Sequence, residues 1–231
     1  MRTLCVERWS DLPWAVATLG FTQPVPTLVV VGAAAQLPAN RLSRLQPLFE
    51  QLAVLAERTG AAVVDGGTDA GVMRLIGRAR AGGRTFPLVG VVVAALAAPL
   101  DAPESAGRWP LEPNHSHVLL VPGREWGDEA PWLARAATAL AGGAPSATVL
   151  VNGGEGAYAD AEASLAERRP LIVAAGSGGT ADAVAAAARD GSPGERAETL
   201  ARSDLVNAVD LRQDGGQPLL TEVARILSER S

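Results

Sequence analysis

Glycine-bearing turns follow directly on apolar runs at four places in the chain. They are Gly32 after Val31, Asp65-Gly66-Gly67-Thr68 after Val64, Asn152-Gly153-Gly154-Glu155-Gly156 after Val151, and Gly176-Ser177-Gly178-Gly179-Thr180 after Ala175. Glycine reaches positive φ and lets the main chain approach a ligand closely. Where such a turn opens a helix, unpaired N–H groups and the positive end of the helix dipole suit a phosphate. Packing alone explains any one glycine corner equally well. Several on one edge of a sheet point to a backbone-lined anion pocket. Thr68, Asp69 and Thr180 are suitable N-caps for the helices that follow.

Other groups carry weaker signals. The turn at Gly176 fits a loose dinucleotide pattern, G-x-G-x-x-A, through Gly176, Gly178 and Ala181. That pattern normally opens a domain and has an acid about 20 residues on; here it comes late, and Asp210 lies too far along the chain. A nicotinamide-dependent oxidoreductase is disfavoured on that ground and for want of an obvious proton-transfer residue. His115 and His117 flank Ser116 at the start of a strand and share a face. No third ligand accompanies them, so a structural or ligand-contacting role is expected rather than a metal. In "GREWGDEAPW", residues 123–132, the acids suit the first turn of a helix, or the segment forms a pocket wall against a ribose or base.

Composition removes several function classes. All 20 basic residues are Arg, with no Lys in the chain. This excludes a Walker-type phosphate loop and a Schiff-base nucleophile. A net charge of −5 argues against nucleic acid as a partner. Cys5 is the single cysteine, so neither an internal disulfide nor a thiolate zinc cage is available. No apolar run approaches the roughly 18 residues that span a bilayer, and no membrane partner is expected. A reducing cytoplasm is the simplest compartment.

The elements that must position the turns follow from periodicity. Apolar, β-branched runs at Thr27–Val31, Ala61–Val64, Leu88–Val93, Val118–Val121, Thr148–Val151 and Leu171–Ala174 predict strands, with a weaker one at Leu205–Val209. Helical spacing lies between them, as in Leu42, Leu45, Phe49, Leu52, Leu55 and Ala56, and in Leu75, Ile76 and Ala79. Such alternation predicts an α/β Rossmann-like three-layer sandwich, one domain over residues 1–231, with a mostly parallel sheet of about seven strands. Residues 1–26 read as a lead-in packed against the core. Residues 96–113, with four prolines, read as a long loop too proline-rich for helix or strand. The alanine-rich helix Ala183–Ala188 suits burial against a second copy as well as against the sheet, which leaves a homo-oligomer open.

The stretches "DGGTDAGVMRLIG", "LEPNHSHVLLVPGREWGDE" and "VLVNGGEGAYADAEASLAERRPLIVAAGSGGTADAVA", in that order, resemble the SLOG superfamily. Within it they resemble the LSDAT branch, which includes the cytosolic N-terminal region of melastatin-type TRP channels. The likeness runs from about Val29 to Ala188. It implies a Rossmann-like fold and a nucleotide-derived small-molecule ligand, with ADP-ribose and cyclic ADP-ribose as precedents and no further cofactor. The binding positions it implies are Gly66, Gly67, Thr68, Gly153, Gly154, Glu155, Gly176, Ser177, Gly178, Gly179 and Thr180, and Gly32 joins them as the glycine corner after Val31. Asn114, His115 and His117 belong to the signature.

The superfamily also includes Lonely Guy-like phosphoribohydrolases, with the motif P-G-G-x-G-T-x-x-E. Laid on Asn152 to Asp160, the motif's Thr becomes Ala157 and its Glu becomes Asp160. Asp is one methylene shorter, which displaces a carboxylate by about 1 Å and costs roughly 100-fold in rate. Glu155 and Glu162 are nearby substitutes. Two functions follow: a nucleotide-binding sensor, and as the alternative a nucleotide N-glycosidase with Asp160 or Glu155 stabilising an oxocarbenium-like centre.

Overall fold

The computed structural model describes residues 1–34, 37–98, 108–191 and 194–229. In chain order the elements are β1 (Arg2–Cys5), α1 (Leu12–Leu19), β2 (Thr27–Gly32), α2 (Ala39–Thr59), β3 (Ala62–Asp65) and α3 (Gly71–Ala81). There follow β4 (Leu88–Val93), β5 (Ala97–Ala98), β6 (Trp109–Pro110), β7 (His117–Val121), α4 (Ala130–Ala141) and β8 (Ser146–Val151). The chain closes with α5 (Gly156–Ala166), β9 (Leu171–Ala175), α6 (Gly179–Asp190), α7 (Glu195–Ala201), β10 (Val206–Asp210) and α8 (Gln217–Leu227).

Eight strands form one sheet in the order β1-β7-β4-β3-β2-β8-β9-β10, and every neighbouring pair is parallel. Successive residues of β2 go to opposite faces, as a strand requires. Leu28 and Val30 join a core with α2, α3 and α8, whereas Val29 and Val31 join one with α1, α4, α5, α6 and α7. A sheet covered on both sides needs strands apolar at every position, which is why these runs are continuous rather than alternating.

The expected strands are present, and the sheet has eight members rather than about seven. The additional one is β1, inside the segment read as a lead-in. It is a four-residue edge strand, mostly exposed, that pairs Arg2–Cys5 with His117–Leu120. Four residues beginning at Arg2 carry no alternation to detect. The proline-rich stretch also differs at its ends: Ala97–Ala98 pairs with Trp109–Pro110 in a two-residue parallel ladder. Pro110 has no N–H to give to that ladder, and its carbonyl accepts from Asp69 N at 2.8 Å. The rest of that stretch, 99–107, lies outside the described residues.

Candidate functional site

The chain leaves β2 toward β3 and β4 on one side, while β8, β9 and β10 build outward on the other. The switch point is therefore the seam between β2 and β8, and ligands of open α/β sheets bind beyond the carboxyl ends of the strands at that seam. A cleft of about 530 Å³ opens there, lined by Gly32, Gly66, Thr68, Trp109, Trp126, Glu129, the run Asn152–Ala157 and Asp160, among others. At its floor β2 and β8 touch: a Cβ on Gly32 would lie 2.0 Å from the Val151 carbonyl oxygen. Only glycine closes that seam.

The Asn152–Gly156 turn forms one wall. Asn152 adopts φ 58°, a left-handed conformation that Asn tolerates and Pro, locked near −65°, cannot reach. This backbone thus departs from the Lonely Guy motif at its first residue. The conformation is held by the side chain: Asn152 Oδ1 accepts from Gly153 N at 2.9 Å and its Nδ2 donates to the Ser177 carbonyl at 2.5 Å. Beyond it, the amides of Gly154, Glu155 and Gly156 meet no acceptor among the described residues. A Cβ on Gly154 or Gly156 would meet nothing within 4 Å. These are the orphan donors of the first turn of α5, and they border the cleft.

The Gly176–Thr180 turn does a different job. Thr180 N donates to the Gly153 carbonyl at 3.1 Å, Ala181 N to the Asn152 carbonyl at 2.9 Å, and Thr180 Oγ1 to the Gly154 carbonyl at 2.7 Å. Ser177 Oγ accepts from Asn152 N at 2.7 Å. Gly176 N donates to Asp182 Oδ1 at 2.6 Å. The turn therefore braces the Asn152–Gly156 corner from behind and does not itself line the cleft. Its cap differs from the expectation too: α6 starts at Gly179 with Gly178 in the N-cap position, and Thr180 spends its hydroxyl on the neighbouring corner. Likewise Ala70, not Thr68 or Asp69, precedes α3, whose Val72 N donates to the Ala33 carbonyl at 2.9 Å. Asp210, remote in sequence, lies beside Gly176, where a Cβ would be 3.5 Å from its Oδ1. It is bound to Arg212 at 2.7 Å.

The third corner is underpinned by a buried charge cluster. His115 Nε2 bonds Asp65 Oδ1 at 2.8 Å and its Nδ1 bonds Glu112 Oε2 at 2.9 Å. All three residues are buried. Burial pushes the imidazole down, but the two carboxylates, Asp65 and then Glu112, outweigh it and raise His115 to about 9. With both ring nitrogens facing carboxylates, the imidazolium donates at both. Asp65 Oδ1 also accepts from Gly67 N at 2.7 Å, and Glu112 accepts from Asn114 N at 2.9 Å. Gly77 on α3 makes room, since a Cβ there would lie 2.1 Å from the Glu112 carboxyl carbon. The cluster shapes the Gly66–Thr68 corner from below. Gly66 and Thr68 line the cleft, while Gly67, Asn114, His115 and His117 lie outside its lining. His117 hydrogen-bonds Ser116 Oγ at 2.8 Å and packs on Phe21; burial, then Arg2 and Arg80, hold its pKa below the usual value.

The opposite wall comes from the segment before α4. Trp126 stands partly exposed at the mouth, and Glu129 accepts from Gly127 N at 2.9 Å. Asp160, on α5, makes no hydrogen bond among the described residues. Burial first, and the Glu129 charge second, raise its carboxyl to about 7; burial also raises Glu129. This second carboxylate is Glu129, not Glu155 or Glu162, both of which are held by Arg196 at the surface. Spacing along α5 drew attention to its own acids; Glu129, some thirty positions earlier, reaches Asp160 only through the packing of α4 on α5.

Among the described residues no group of three or more His, Cys, Asp or Glu side chains is placed to hold a metal ion, and no helix is long and apolar enough to cross a membrane.

Comparison with known proteins places this geometry. The X-ray structure of TM1055, a structural-genomics target, is 22% identical with a TM-score of 0.60, over 87% of this chain and 99% of that one. The molybdenum cofactor carrier protein from Chlamydomonas reinhardtii is 18% identical with a TM-score of 0.55, over 89% and 99%. Both establish the shared fold. No curated protein matches in sequence. The family model described as "SLOG in TRPM, prokaryote" matches residues 25–218, a span that contains all four glycine corners and both carboxylates, and the chain belongs to that family.

Proposed function

We propose that the protein binds a nucleotide-derived ligand, ADP-ribose or a relative of it, in the switch-point cleft. The observation that carries this reading is the row of amides at Gly154, Glu155 and Gly156, bordering the cleft at the start of α5 without an acceptor among the described residues. A phosphate takes such donors and is favoured by the dipole of α5. Trp126 and Trp109 offer aromatic faces for a base. Family membership adds the ADP-ribose and cyclic ADP-ribose precedents of the channel relatives. The test is a thermal-shift panel of ADP-ribose, cyclic ADP-ribose, NAD and nucleoside monophosphates. A ligand at 100 times its Kd adds about 2.7 kcal/mol of stability. Absence of a shift with every member overturns the reading.

A second reading, a nucleotide N-glycosidase, is favoured by one observation: two carboxyl groups, Asp160 and Glu129, line the cleft, where burial first and the Glu129 charge second raise Asp160 to about 7. Protonated Asp160 would donate to the departing base while Glu129 takes a proton from the attacking water, so that the C1′–N bond breaks and a C1′–O bond forms. Chromatography after long incubation with nucleoside monophosphates checks it. Release of free base by the wild type and none by Asp160→Asn is the supporting outcome; no release by either sinks it.

A further inference from the structure

The cleft is asymmetric in charge. Its α5 end presents backbone donors, whereas its α4 side presents Glu129 and Asp160. No Arg or His is among the described residues that line it. Of the cations nearby, Arg196 is held by Glu155 and Glu162 and Arg74 by Asp69 at 2.7 Å, while Arg41 stands beside Gly178, where a Cβ would lie 2.3 Å from its Nη1. One phosphate is thus accommodated by amides, and nothing in the lining neutralises a second one placed against the carboxylates.

Spacing fixes what lies there instead. Asp160 stands four residues beyond Gly156 on the same face of α5, about 6 Å along the helix axis. That separation is comparable to the span from a nucleotide's 5′-phosphate to its ribose hydroxyls. We infer that Glu129 and Asp160 act as specificity-determining residues: they hold the free 2′- and 3′-hydroxyls of a ribose whose 5′-phosphate sits on the α5 amides, and they repel a nucleotide phosphorylated at either hydroxyl. This rests on the nucleotide reading above. Asp160 has no protein partner among the described residues, and Glu129 takes the Gly127 amide on its Oε2 at 2.9 Å. Carboxyl groups accept from hydroxyls, and like charges brought together in a partly desolvated site are rejected strongly.

The experiment is isothermal titration of matched pairs: AMP against adenosine 2′,5′- and 3′,5′-bisphosphates, and ADP-ribose against ADP-ribose 2′-phosphate. The proteins are the wild type, Glu129→Gln, Asp160→Asn and the double variant. We expect the wild type to prefer the unphosphorylated sugar by roughly 100-fold. In the double variant the ratio falls to within about threefold, because the phosphorylated ligands gain affinity. A merely structural role would weaken both members of a pair together and leave the ratio unchanged, which overturns the inference. So does a wild type that binds both members equally while still binding nucleotides. If no ligand of the set binds, the nucleotide reading falls first and this inference falls with it.

Discussion

Two glycine corners stand side by side at the ends of β8 and β9, and they have opposite fates. At Gly176–Thr180 the Gly176 amide goes to Asp182, the Ser177 amide to Ala174, and the Thr180 amide and hydroxyl to the neighbouring corner, while the Gly178 and Gly179 amides meet no acceptor among the described residues but lie outside the cleft lining. At Asn152–Gly156 the carbonyls are taken while three amides meet no acceptor among the described residues. Both turns are Gly-rich, both follow a parallel strand and both open a helix. Bonds run both ways between them, and the difference is that only the Asn152–Gly156 corner borders the cleft with its free amides. A glycine turn binds a ligand only with the donors that its neighbours leave unused, so similar sequences yield one brace and one receptor.

The largest expected effect comes from separating the two. Gly179 has φ 56°, and a Cβ there would lie 2.0 Å from the Gly153 carbonyl oxygen and 3.0 Å from Asn152 Oδ1. Gly179→Val therefore combines backbone strain with overlap against backbone. A loss of about 3 kcal/mol or more is expected in urea denaturation, along with any ligand-induced thermal shift. An unchanged midpoint would show that the corners are not locked together.

The Gly66–Thr68 corner is supported from below by charge, and pH tests it. His115 is raised from 6.5 to about 9 in the folded protein. Its contribution is fully present below pH 6.5 and is lost as pH rises through 9, amounting to about 3 kcal/mol. Asp160 adds to the fall at lower pH. Its folded value near 7 lies above the ordinary 3.8, so the unfolded chain gives up its proton first and stability declines from about pH 4 to 7. Denaturation across pH 4–10 should show both limbs. Asp160→Asn shrinks the acid limb, leaving the share of Glu129, and leaves the alkaline one; loss of the alkaline limb in that variant would mean that His115 and Asp160 titrate as one.

Opening the comparison from the other side gives a smaller effect on folding and a clear one on binding. Gly154 has open space where a side chain would go and no positive φ. Gly154→Asp should fold with a stability change within about 0.5 kcal/mol. Its carboxylate would stand beside the α5 amides and compete for them, and ligand affinity should fall at least about tenfold. Calorimetry on the folded variant decides: full affinity would remove these amides from the binding site.

These contrasts mark what the sequence could carry. Continuous apolar runs reveal strands buried on both faces, because a parallel sheet leaves its pattern in residue type; β1, at an exposed edge, has no such pattern. Glycine corners are legible as a set, since chain reversal at strand ends needs them. Their division of labour is not legible, because Thr180 meeting Gly154 and Ser177 meeting Asn152 are contacts between segments 25 and 26 residues apart. His115 stands out by type, but its burial between Asp65 and Glu112 depends on β3, β7 and α3 converging. Glu129 looked like a dipole-complementing acid, and only tertiary packing turns it toward Asp160.

The smallest effect tests how the receptor corner keeps its amides free. Glu155 supplies one of them, and its exposed carboxylate is paired with Arg196. Arg196 holds Glu155 and Glu162 together at the surface and lies over the Tyr158 ring, 4.8 Å from its centroid. Exposed pairs of this kind contribute less than about 1 kcal/mol, so Arg196→Ala should barely move the denaturation midpoint. Releasing Glu155, however, lets its carboxylate turn toward the α5 dipole, and ligand affinity should fall by about twofold to threefold. Glu155→Gln in the same background should restore it, and the deficit should shrink as salt is raised. If affinity drops equally with Gln at 155, Arg196 contacts the ligand itself, and the receptor corner then owes part of its binding to a cation from α7 rather than to backbone alone.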